Sequence, residues 1–373
     1  MTGINYRLGL EQRLFPEYRK PFFELLANHC KKGFCLFAGK AQPYEGILEA
    51  TALDNGEWVL AENRHLFNSK IFFYWQRNLL PWLKSWKPQV LIVEANPRYL
   101  GLPHATRWMH QNGGRVIGWG LGFGGKGGSS SFFRQGFGKS FIRYFDVLLS
   151  YSQKGKEEYV NAGFPAERIF VASNAVSPRP NWKMPGKPIG TKQHKPVVLF
   201  VGRLFERKSV DRLIRACARI PAQKQPQLVI VGDGPERSKL ERLASQVYPG
   251  ARFTGDLRGE KLAHAYQKAD LFVLPGTGGL AIQQAMSYGL PVVTGVGDGT
   301  QSDLVRRENG WQLQSDTVEE LSDVLATALK DPRKLREMGE ASFRIVKNEV
   351  NLEAMVETFA KAVNFVMKMD IRK

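Results

Sequence analysis

Two basic side chains follow a glycine in the second half of the chain. Gly202 stands directly after the apolar run at residues 197–201, and Arg203 and Lys208 come soon after it. Glycine lets the backbone turn sharply at the end of a buried strand, and a guanidinium with an ammonium group suits the oxygens of a diphosphate. The pattern predicts an anion site where the sheet opens; the alternative is a pair of solvated surface charges before a helix.

A glycine-rich segment in the same half provides a candidate for the other side of that site. Residues 275–280 read PGTGGL and stand directly before a predicted helix. Exposed backbone N–H groups at a helix N-terminus attract anions, and the helix dipole adds to the attraction. Together with Arg203 and Lys208, this segment predicts a two-sided phosphate clamp within one domain.

A third glycine-rich segment lies in the first half. Residues 120–125 read GLGFGG, a formal GxGxxG, and Gly127 stands where a P-loop would have a Ser or Thr that coordinates magnesium. The glycine- and serine-rich continuation to residue 131 is more typical of a mobile loop than of a tight helix start. We expect a loop bordering a cleft; a dinucleotide site and a structural turn are the alternatives.

Short β-branched runs alternate with amphipathic stretches through the whole chain, which is typical of βαβ units in parallel sheets. In the first half, strands are predicted at residues 8–14, 34–37, 90–93, 115–119, 147–150 and 169–172, with helices at 22–29, 70–83, 98–110 and 154–162. In the second half, strands are predicted at 197–201, 227–231, 252–253, 271–274 and 291–294, with helices at 211–220, 235–246, 259–269, 279–288, 317–329, 332–347 and 351–369.

The segment 178–196 separates the two series. It contains five prolines and little apolar periodicity, which is the composition of a linker. Since a single core rarely grows beyond about 250–300 residues, two domains are expected. We predict Rossmann-like domains at 1–177 and 197–350, and a last helix at 351–373 that packs back toward the first. Such domains bind ligands at the carboxyl ends of their strands, which predicts a cleft between them.

The charge balance limits the class of partner. An excess of 53 basic over 35 acidic residues gives a net charge of +18, which favours phosphorylated ligands, an anionic membrane surface or nucleic acid. The nucleic-acid alternative lacks a helix-turn-helix, zinc or aromatic RNA-binding signature, so we expect no nucleic acid. The three cysteines have no disulfide framework or zinc spacing, and neither a signal peptide nor a membrane-spanning apolar run is present in the sequence.

These features predict a soluble cytoplasmic protein. Most tryptophans lie in the first half, beside many of the basic residues; they are Trp58, Trp75, Trp82, Trp86, Trp108, Trp119 and Trp182. Core packing accounts for such aromatics. The alternative is a basic aromatic face that touches the inner surface of the cytoplasmic membrane.

The second half resembles family 4 glycosyltransferases, which are retaining enzymes of GT-B fold. The similar segments are FVGRL at 200–204, KSVDRLI at 208–214, LVIVGDGP at 228–235, FTG at 253–255, ADLFVLP at 269–275 and AMSYGLPVV at 285–293. The first half is similar, more loosely, to a bacterial polysaccharide-biosynthesis branch of that family. Its segments are LFPEYRKPFF at 14–23, NPRY at 96–99, GWG at 118–120 and ASNA at 172–175.

The resemblance implies roles for individual residues. Arg203 and Lys208 would bind the donor diphosphate and stabilise it as a leaving group. The donor-binding set would be Gly202, Arg203, Lys208, Asp233, Arg252, Phe253, Leu257, Gly276, Thr277, Gly278, Gly279, Leu280 and Gln284. Acceptor-side candidates in the first domain are Glu17, Tyr18, Arg19, Arg98, Gly120 and Leu121, and their alternative is mere support of the loops. Asp303 is a weaker candidate, since it also suits a structural role.

This sequence departs from the family pattern at three positions. Members usually carry two glutamates eight positions apart, and here those positions are Gly276 and Gln284. Leu121 replaces a histidine that relatives of the branch often have in the first domain. The missing carboxylate and imidazole remove polar contacts with the donor sugar, whereas Gln284 keeps the ability to hydrogen-bond a ribose hydroxyl.

The implied function is transfer of a hexose, with UDP-glucose as the favoured donor, to a hydroxyl of a saccharide or lipid-linked acceptor in bacterial exopolysaccharide or cell-envelope polysaccharide synthesis. The reaction would retain the anomeric configuration and use neither a metal nor a cofactor, since no DxD-type acidic cluster occurs. One alternative is a nucleotide-sugar-binding GT-B protein with little or no catalytic activity. Another is a sugar-nucleotide epimerase of similar architecture.

Overall fold

The computed structural model describes residues 3–42, 45–66, 73–123, 140–185, 195–297 and 299–369. The chain divides into two compact units. Unit 1 comprises Met1–Val176 and Leu352–Lys373, and unit 2 comprises Ser177–Asn351. Each unit is built on its own parallel sheet.

The sheet of unit 1 has seven described strands, all paired in parallel. The strands of the unit are β1 (Leu8–Leu14), β2 (Phe34–Gly39), β3 (Glu57–Leu60), β4 (Asn63–Leu66), β5 (Phe73–Gln76), β6 (Val90–Glu94), β7 (Arg115–Gly120), β8 (Val147–Ser150) and β9 (Ile169–Val171). The order is β3-β2-β1-β6-β7-β8-β9, and β4 and β5 form a separate antiparallel pair. The strand order reverses between β1 and β6, which makes their carboxyl ends the topological switch point.

The helices between these strands whose two ends both lie among the described residues number four. They are α1 (Lys20–Asn28), α2 (Leu79–Trp86), α3 (Leu102–Gln111) and α4 (Gln153–Asn161). Helix α4 begins at Ser152, whose hydroxyl accepts a hydrogen bond from the Gly155 N–H, which is a normal N-cap. The core on the α2–α3 side includes the stacked rings of Phe37 and Trp82, whose centroids are 4.5 Å apart.

Unit 2 has a six-stranded parallel sheet. Its strands are β10 (Val197–Val201), β11 (Gln227–Val231), β12 (Ala251–Gly255), β13 (Leu271–Leu274), β14 (Val292–Thr294) and β15 (Gly310–Gln312), in the order β12-β11-β10-β13-β14-β15. Its helices are α5 (Val210–Arg219), α6 (Arg237–Val247), α7 (Gly259–Lys268), α8 (Leu280–Ser287), α9 (Thr300–Leu304), α10 (Val318–Ala328) and α11 (Pro332–Asn348). The switch point lies between β10 and β13, so both predicted phosphate loops begin there.

The last helix, α12 (Leu352–Lys368), belongs to unit 1 although it follows unit 2 in sequence. It packs against α1 and the strands β7, β8 and β9. The ring of Phe359 lies 4.9 Å from that of Phe22 and 5.0 Å from that of Trp119, measured between centroids. Its apolar stripe therefore covers one face of the first sheet. Among the described residues, no helix combines the length and apolarity needed to span a bilayer.

Most predicted strands and helices are present, and one prediction is wrong. Residues 73–76, assigned to a helix at 70–83, form strand β5, and the helix begins only at Leu79; residues 70–72 lie outside the described part. Tyr74 is fully buried while its neighbours are half-exposed, so this aromatic run has the two-residue period of a strand. Four elements were not predicted: β3, β4, β15 and α9.

The helix predicted at 98–110 also begins later, at Leu102, with Pro103 in its first turn. Proline fits the first turn because its missing N–H has no helical partner there. The two doubly wound parallel sheets confirm the α/β class.

Candidate functional site

The two predicted phosphate loops of unit 2 are neighbours at the carboxyl edge of its sheet. Strands β10 and β13 pair directly, and Gly202 follows the first while Pro275 follows the second. After Gly202 the chain forms the 3-10 turn Glu206–Lys208, and after Pro275 it reaches helix α8 at Leu280. The fold thus brings together residues that lie about 70 positions apart in the sequence.

Hydrogen bonds join the two loops around Thr277. The Lys208 Nζ donates to the Thr277 carbonyl at 2.5 Å, and the Arg207 Nη1 donates to the Thr277 hydroxyl at 3.2 Å. The Thr277 N–H in turn donates to the Arg207 carbonyl at 3.1 Å. The ammonium group of Lys208 is therefore held at the entrance to the glycine segment. We call Arg203 and Glu206–Lys208, together with residues 275–279, the clamp.

Two glycines of the clamp allow this close approach. A Cβ added at Gly276 would lie 2.2 Å from the Arg207 carbonyl oxygen and 2.6 Å from the Lys208 Cα. Gly278 has φ +141°, and a Cβ there would lie 2.4 Å from the Lys208 Nζ. At Gly276 the atoms that would clash belong to the backbone, and at Gly278 the positive φ is one that other residues rarely adopt. Both positions therefore favour glycine in the observed arrangement.

Two buried polar side chains anchor the clamp from beneath. Arg212 of α5 donates from Nη2 to the Pro275 carbonyl at 2.9 Å and from Nη1 to the Asp316 carboxylate, also at 2.9 Å. Gln301 of α9 donates from Nε2 to the Gly276 carbonyl at 2.8 Å. Sequence reasoning missed both. The available signal was an arginine among the apolar residues of an amphipathic helix. In the structure Arg212 is buried together with Leu213 and Ile214.

Arg203 and Asp233 lie on adjoining loops after β10 and β11. The Arg203 guanidinium carbon is 5.1 Å from the centre of the Phe205 ring. The Leu204 N–H, next to Arg203, donates to the Asp233 carbonyl at 2.8 Å, which fixes one loop on the other. The Gly234 N–H and the Arg237 guanidinium hydrogen-bond the Asp233 carboxylate and lower its pKa. This carboxylate therefore supports its own loop.

The remaining donor-side candidates lie on β12, in the loop after it, and on or beside α8. Arg252 is exposed on β12, while Phe253 and Leu257 are half-buried; β12 is the edge strand, two places from β10. Gln284 lies on α8, where its Oε1 accepts a hydrogen bond from the Tyr266 hydroxyl at 3.3 Å. Gly279 is the N-cap of that helix, and Leu280 is its first residue.

Asp303 lies in the short helix α9, two residues after Gln301. It is half-buried. Its helix supports the clamp through Gln301, which suits the structural role. Across the described residues, His, Cys, Asp and Glu side chains form no group of three with the geometry to hold a metal ion.

Acceptor-side candidates of unit 1 also lie at a carboxyl edge. Glu17, Tyr18 and Arg19 form the 3-10 turn after β1, and Arg98 lies between β6 and α3. The Arg98 carbonyl accepts a hydrogen bond from the Tyr74 N–H at 3.0 Å.

Gly120 is the last residue of β7, and Leu121 after it is 42% exposed. A Cβ at Gly120 would lie 2.7 Å from the Tyr159 hydroxyl oxygen. The glycine is therefore needed for packing at this position. Residues 124–131 of the loop predicted from 120 to 131 lie outside the described part of the chain.

A pair of glutamates at the switch point of unit 1, one of them buried, was not predicted. Glu11 of β1 is fully buried and accepts a hydrogen bond at Oε2 from the Glu94 N–H at 3.1 Å. The Glu94 carboxylate accepts from the Tyr74 hydroxyl at 2.8 Å. Burial and the nearby Glu94 carboxylate raise the pKa of Glu11 well above its ordinary value, which favours the neutral acid. An acidic residue inside an apolar strand was the signal for it.

Comparison with known proteins bears on unit 2 in particular. Residues 186–344 match the family model for Glycosyl transferases group 1. A GDP-mannose-dependent alpha-mannosyltransferase of Corynebacterium glutamicum is 36% identical over 191 residues, which cover 50% of this chain and 42% of that protein. A GDP-mannose-dependent monoacylated alpha-(1-6)-phosphatidylinositol monomannoside mannosyltransferase of the same organism is 32% identical over 182 residues, 46% of this chain and 48% of that protein. The chain spans less than half the length of these relatives.

Solved structures resemble nearly the whole chain. Anabaena HepE in complex with UDP has a TM-score of 0.70 at 15% identity, covering 96% of this chain and 99% of that one. Sucrose-phosphate synthase from Thermosynechococcus elongatus has a TM-score of 0.71 at 17% identity, covering 96% of this chain and 98% of that one. At such identities the likeness concerns the fold alone, and it confirms the predicted GT-B fold of two Rossmann-like domains.

The segment that matches the family model contains the whole clamp. Gly202 and Gln284, the first and last donor-side candidates, both lie within the matched range. The same range includes both anchoring residues, Arg212 and Gln301. The matched segment is thus the one in which the two phosphate loops meet.

Proposed function

We propose that the protein is a glycosyltransferase that moves a hexose from a nucleoside diphosphate sugar to an acceptor hydroxyl. The observation that carries the proposal is the clamp, in which Lys208 meets the Thr277 carbonyl across the switch point of the group 1 domain. Residues 197–350 would serve as the donor domain, residues 1–177 as the acceptor domain, and residues 178–196 as their linker. The last helix, from 351, would complete the acceptor domain.

The clamp suits the chemistry of a leaving diphosphate. When the bond from the sugar to the phosphate breaks, negative charge grows on the phosphate oxygens, and positive groups already in place stabilise it. Arg203 and Lys208 would supply these charges, and the N–H groups of Gly278 and Gly279 would add hydrogen bonds. The reaction would proceed with retention and without a metal, and the departing phosphate would take the acceptor proton.

The base and ribose would lie beyond the clamp. Gln284 would hydrogen-bond a ribose hydroxyl, and the stretch around Arg252, Phe253 and Leu257 would contact the base. GDP-mannose is the first donor to test, because both mannosyltransferase relatives are named for it. UDP-glucose, the donor expected from the sequence, is the second, and a HepE structure of similar fold is named as a complex with UDP-glucose.

The acceptor would be a saccharide or a lipid-linked saccharide of bacterial polysaccharide synthesis. Its hydroxyl would be presented by unit 1, where Glu17, Tyr18, Arg19 and Arg98 follow the strands at the switch point. The basic, tryptophan-rich character of this unit would suit peripheral contact with the inner face of the cytoplasmic membrane. These assignments set the conditions of assay, namely acceptors with and without a lipid anchor.

Nucleotide binding with a clamp variant tests the donor site. Arg203→Ala/Lys208→Ala removes two positive charges, and Lys239→Ala/Arg258→Ala removes two from the exposed surface of the same unit. In the wild type, a nucleotide at 100 times its Kd should raise the free energy of unfolding by about 2.7 kcal/mol. We expect GDP or UDP to stabilise the wild type and the surface variant but not the clamp variant.

Equal stabilisation of all three proteins, or of none, would refute the donor-site assignment. Turnover is then measured with GDP-mannose and UDP-glucose by release of the nucleoside diphosphate.

A second function has one observation in its favour: Gly276 stands where a glutamate is usual in the family, and the Arg207 carbonyl leaves no room there for a side chain. Tight nucleotide binding without turnover on any saccharide acceptor would favour that function, a binding protein of low or no activity.

A further inference from the structure

The guanidinium of Arg19 is buried in unit 1 without a counter-ion among the residues the structure describes. Arg19 is only 7% exposed, and its Nη1 has neither solvent contact nor a hydrogen-bond partner in the described chain. An unpaired charge in a protein interior is unfavourable. Arginine cannot lose its proton to relieve the cost. The position therefore favours a compensating anion, which the described residues do not provide.

Aromatic rings surround this guanidinium. Its central carbon lies 5.2 Å from the centre of the Trp119 ring and 5.8 Å from those of Tyr18 and Tyr151. The rings attract the cation through their faces, which holds it in place and leaves its N–H groups for another partner. Trp119 adds a second buried donor, since its Nε1 also has no hydrogen-bond partner in the described chain.

The nearby acidic group is engaged elsewhere. Glu94 accepts from the Tyr74 hydroxyl at 2.8 Å and from the Arg13 N–H at 3.3 Å. Within the described chain, no ion pair joins a carboxylate to Arg19. Burial raises the pKa of Tyr151 above its ordinary value, so that its hydroxyl stays neutral beside the cation.

The cluster of rings around Arg19 lies where this kind of sheet binds ligands. Arg19 follows β1, Trp119 stands at the carboxyl end of β7, and Tyr151 directly follows β8. All three therefore lie at one edge of the sheet, beside the switch point. Tyr18 is 49% exposed, so this ring lies on the solvent side of the cluster.

We propose that Arg19 and the surrounding rings form an oxyanion site for a phosphate or carboxylate group on the acceptor. This proposal rests on the proposed function, because only a glycosyltransferase has an acceptor. It narrows that acceptor to an anionic saccharide or glycolipid. A guanidinium binds two oxygens of such a group at once. Neutral saccharides would lack this contact and bind unit 1 more weakly.

Thermal unfolding in inorganic phosphate tests the site apart from catalysis. The full chain carries Arg203→Ala/Lys208→Ala, so that the clamp does not respond, and NaCl keeps the ionic strength constant. We expect a saturable rise in Tm with phosphate or, in a parallel series, with acetate. The series that saturates at lower concentration identifies the group. Arg19→Gln should abolish the rise, whereas Arg168→Gln, which removes the same charge from the exposed surface, should preserve it.

A rise in Tm no larger than with NaCl, or an equal rise in the Arg19→Gln variant, would overturn the proposal. If Arg19→Gln does not fold, Arg19→Lys takes its place. An ammonium group cannot bind two oxygens in the same plane, so the rise in Tm should reach half-saturation at about ten times more anion. An unchanged anion concentration at half-saturation would also overturn the site. Nucleotide binding to otherwise unmodified protein should be the same with and without Arg19→Gln. In protein that keeps Arg19, absence of nucleotide binding would count against the donor function, and absence of the anion response would count against this site.

Discussion

A single methyl group at Gly276 would separate the two loops of the clamp. In Gly276→Ala the new Cβ would lie 2.2 Å from the Arg207 carbonyl oxygen and 2.6 Å from the Lys208 Cα. Carbon atoms in ordinary contact are about 3.5 Å from their neighbours, so the loops must move apart by about 1 Å. Neither side can yield by rotating a side chain, because the atoms in contact belong to the backbone of the 3-10 turn.

The effect should be larger on nucleotide binding than on folding. Forcing an extra methyl group into a packed position typically costs about 1–3 kcal/mol of stability. A displacement of about 1 Å in a positioned binding group can reduce function by about 100-fold. We therefore expect the Kd of a nucleoside diphosphate to rise by about 10- to 100-fold, which is about 1.4–2.7 kcal/mol of binding free energy.

Calorimetric titration with GDP and UDP measures this change. The matched control is Gly250→Ala, where an added Cβ meets no atom within 4 Å, and its Kd should equal that of the wild type. An unchanged Kd in Gly276→Ala would show that the contact with Arg207 does not set the position of Lys208. A loss of affinity as large in Gly250→Ala would show that the effect is not specific to the clamp.

Three further predictions concern stability. Burial and Glu94 raise the pKa of Glu11. The free energy of unfolding should therefore fall as the pH rises from the ordinary carboxyl pKa of about 4.3 through the raised pKa. Glu11→Gln should remove that pH dependence in urea titrations, and an unchanged pH dependence would contradict the prediction. The hydrogen bond with Asp146 raises the pKa of His110. The stabilisation that this histidine adds to the free energy of unfolding is therefore complete below about pH 6.5 and is lost above the raised pKa. His110→Asn should flatten that part of the plot of stability against pH, and a plot identical to that of the wild type would assign the pH dependence to other groups. Arg212→Met should cost about 1–3 kcal/mol in urea unfolding because the buried Pro275 carbonyl loses its donor, and a change below 0.5 kcal/mol, as is usual for surface substitutions, would refute its anchoring role.

The sequence predicted the strands of both sheets well wherever they are fully buried. The bounds of β8, β10, β11 and β13 agree with the structure, because buried parallel strands are continuous apolar runs. The bounds of β1 agree as well, although this strand carries Glu11, Gln12 and Arg13. Strand β3 is an edge strand of four residues with exposed ends, and β4 reads NRHL with one apolar residue. Both were missed because neither is a buried apolar run.

The candidate site was predictable only in part for a related reason. Arg203, Lys208 and the glycine segment form local patterns that the sequence shows directly. The partners of Arg212 lie 63 and 104 positions away along the chain, and Glu94 lies 83 positions from Glu11. A sequence can show that a polar side chain stands in an apolar run, but its partner is chosen by the tertiary fold.

The return of α12 to unit 1 has a consequence for synthesis on the ribosome. The chain leaves unit 1 at Val176 and comes back at Leu352, so Phe22 and Trp119 are made long before Phe359, which covers them. Domains generally fold as units while the chain emerges, the N-terminal one first. Here that order is reversed: unit 2 is continuous and can close while unit 1 still exposes an apolar face. The nascent chain should therefore need a chaperone for its earliest residues, which are the last to reach their final packing.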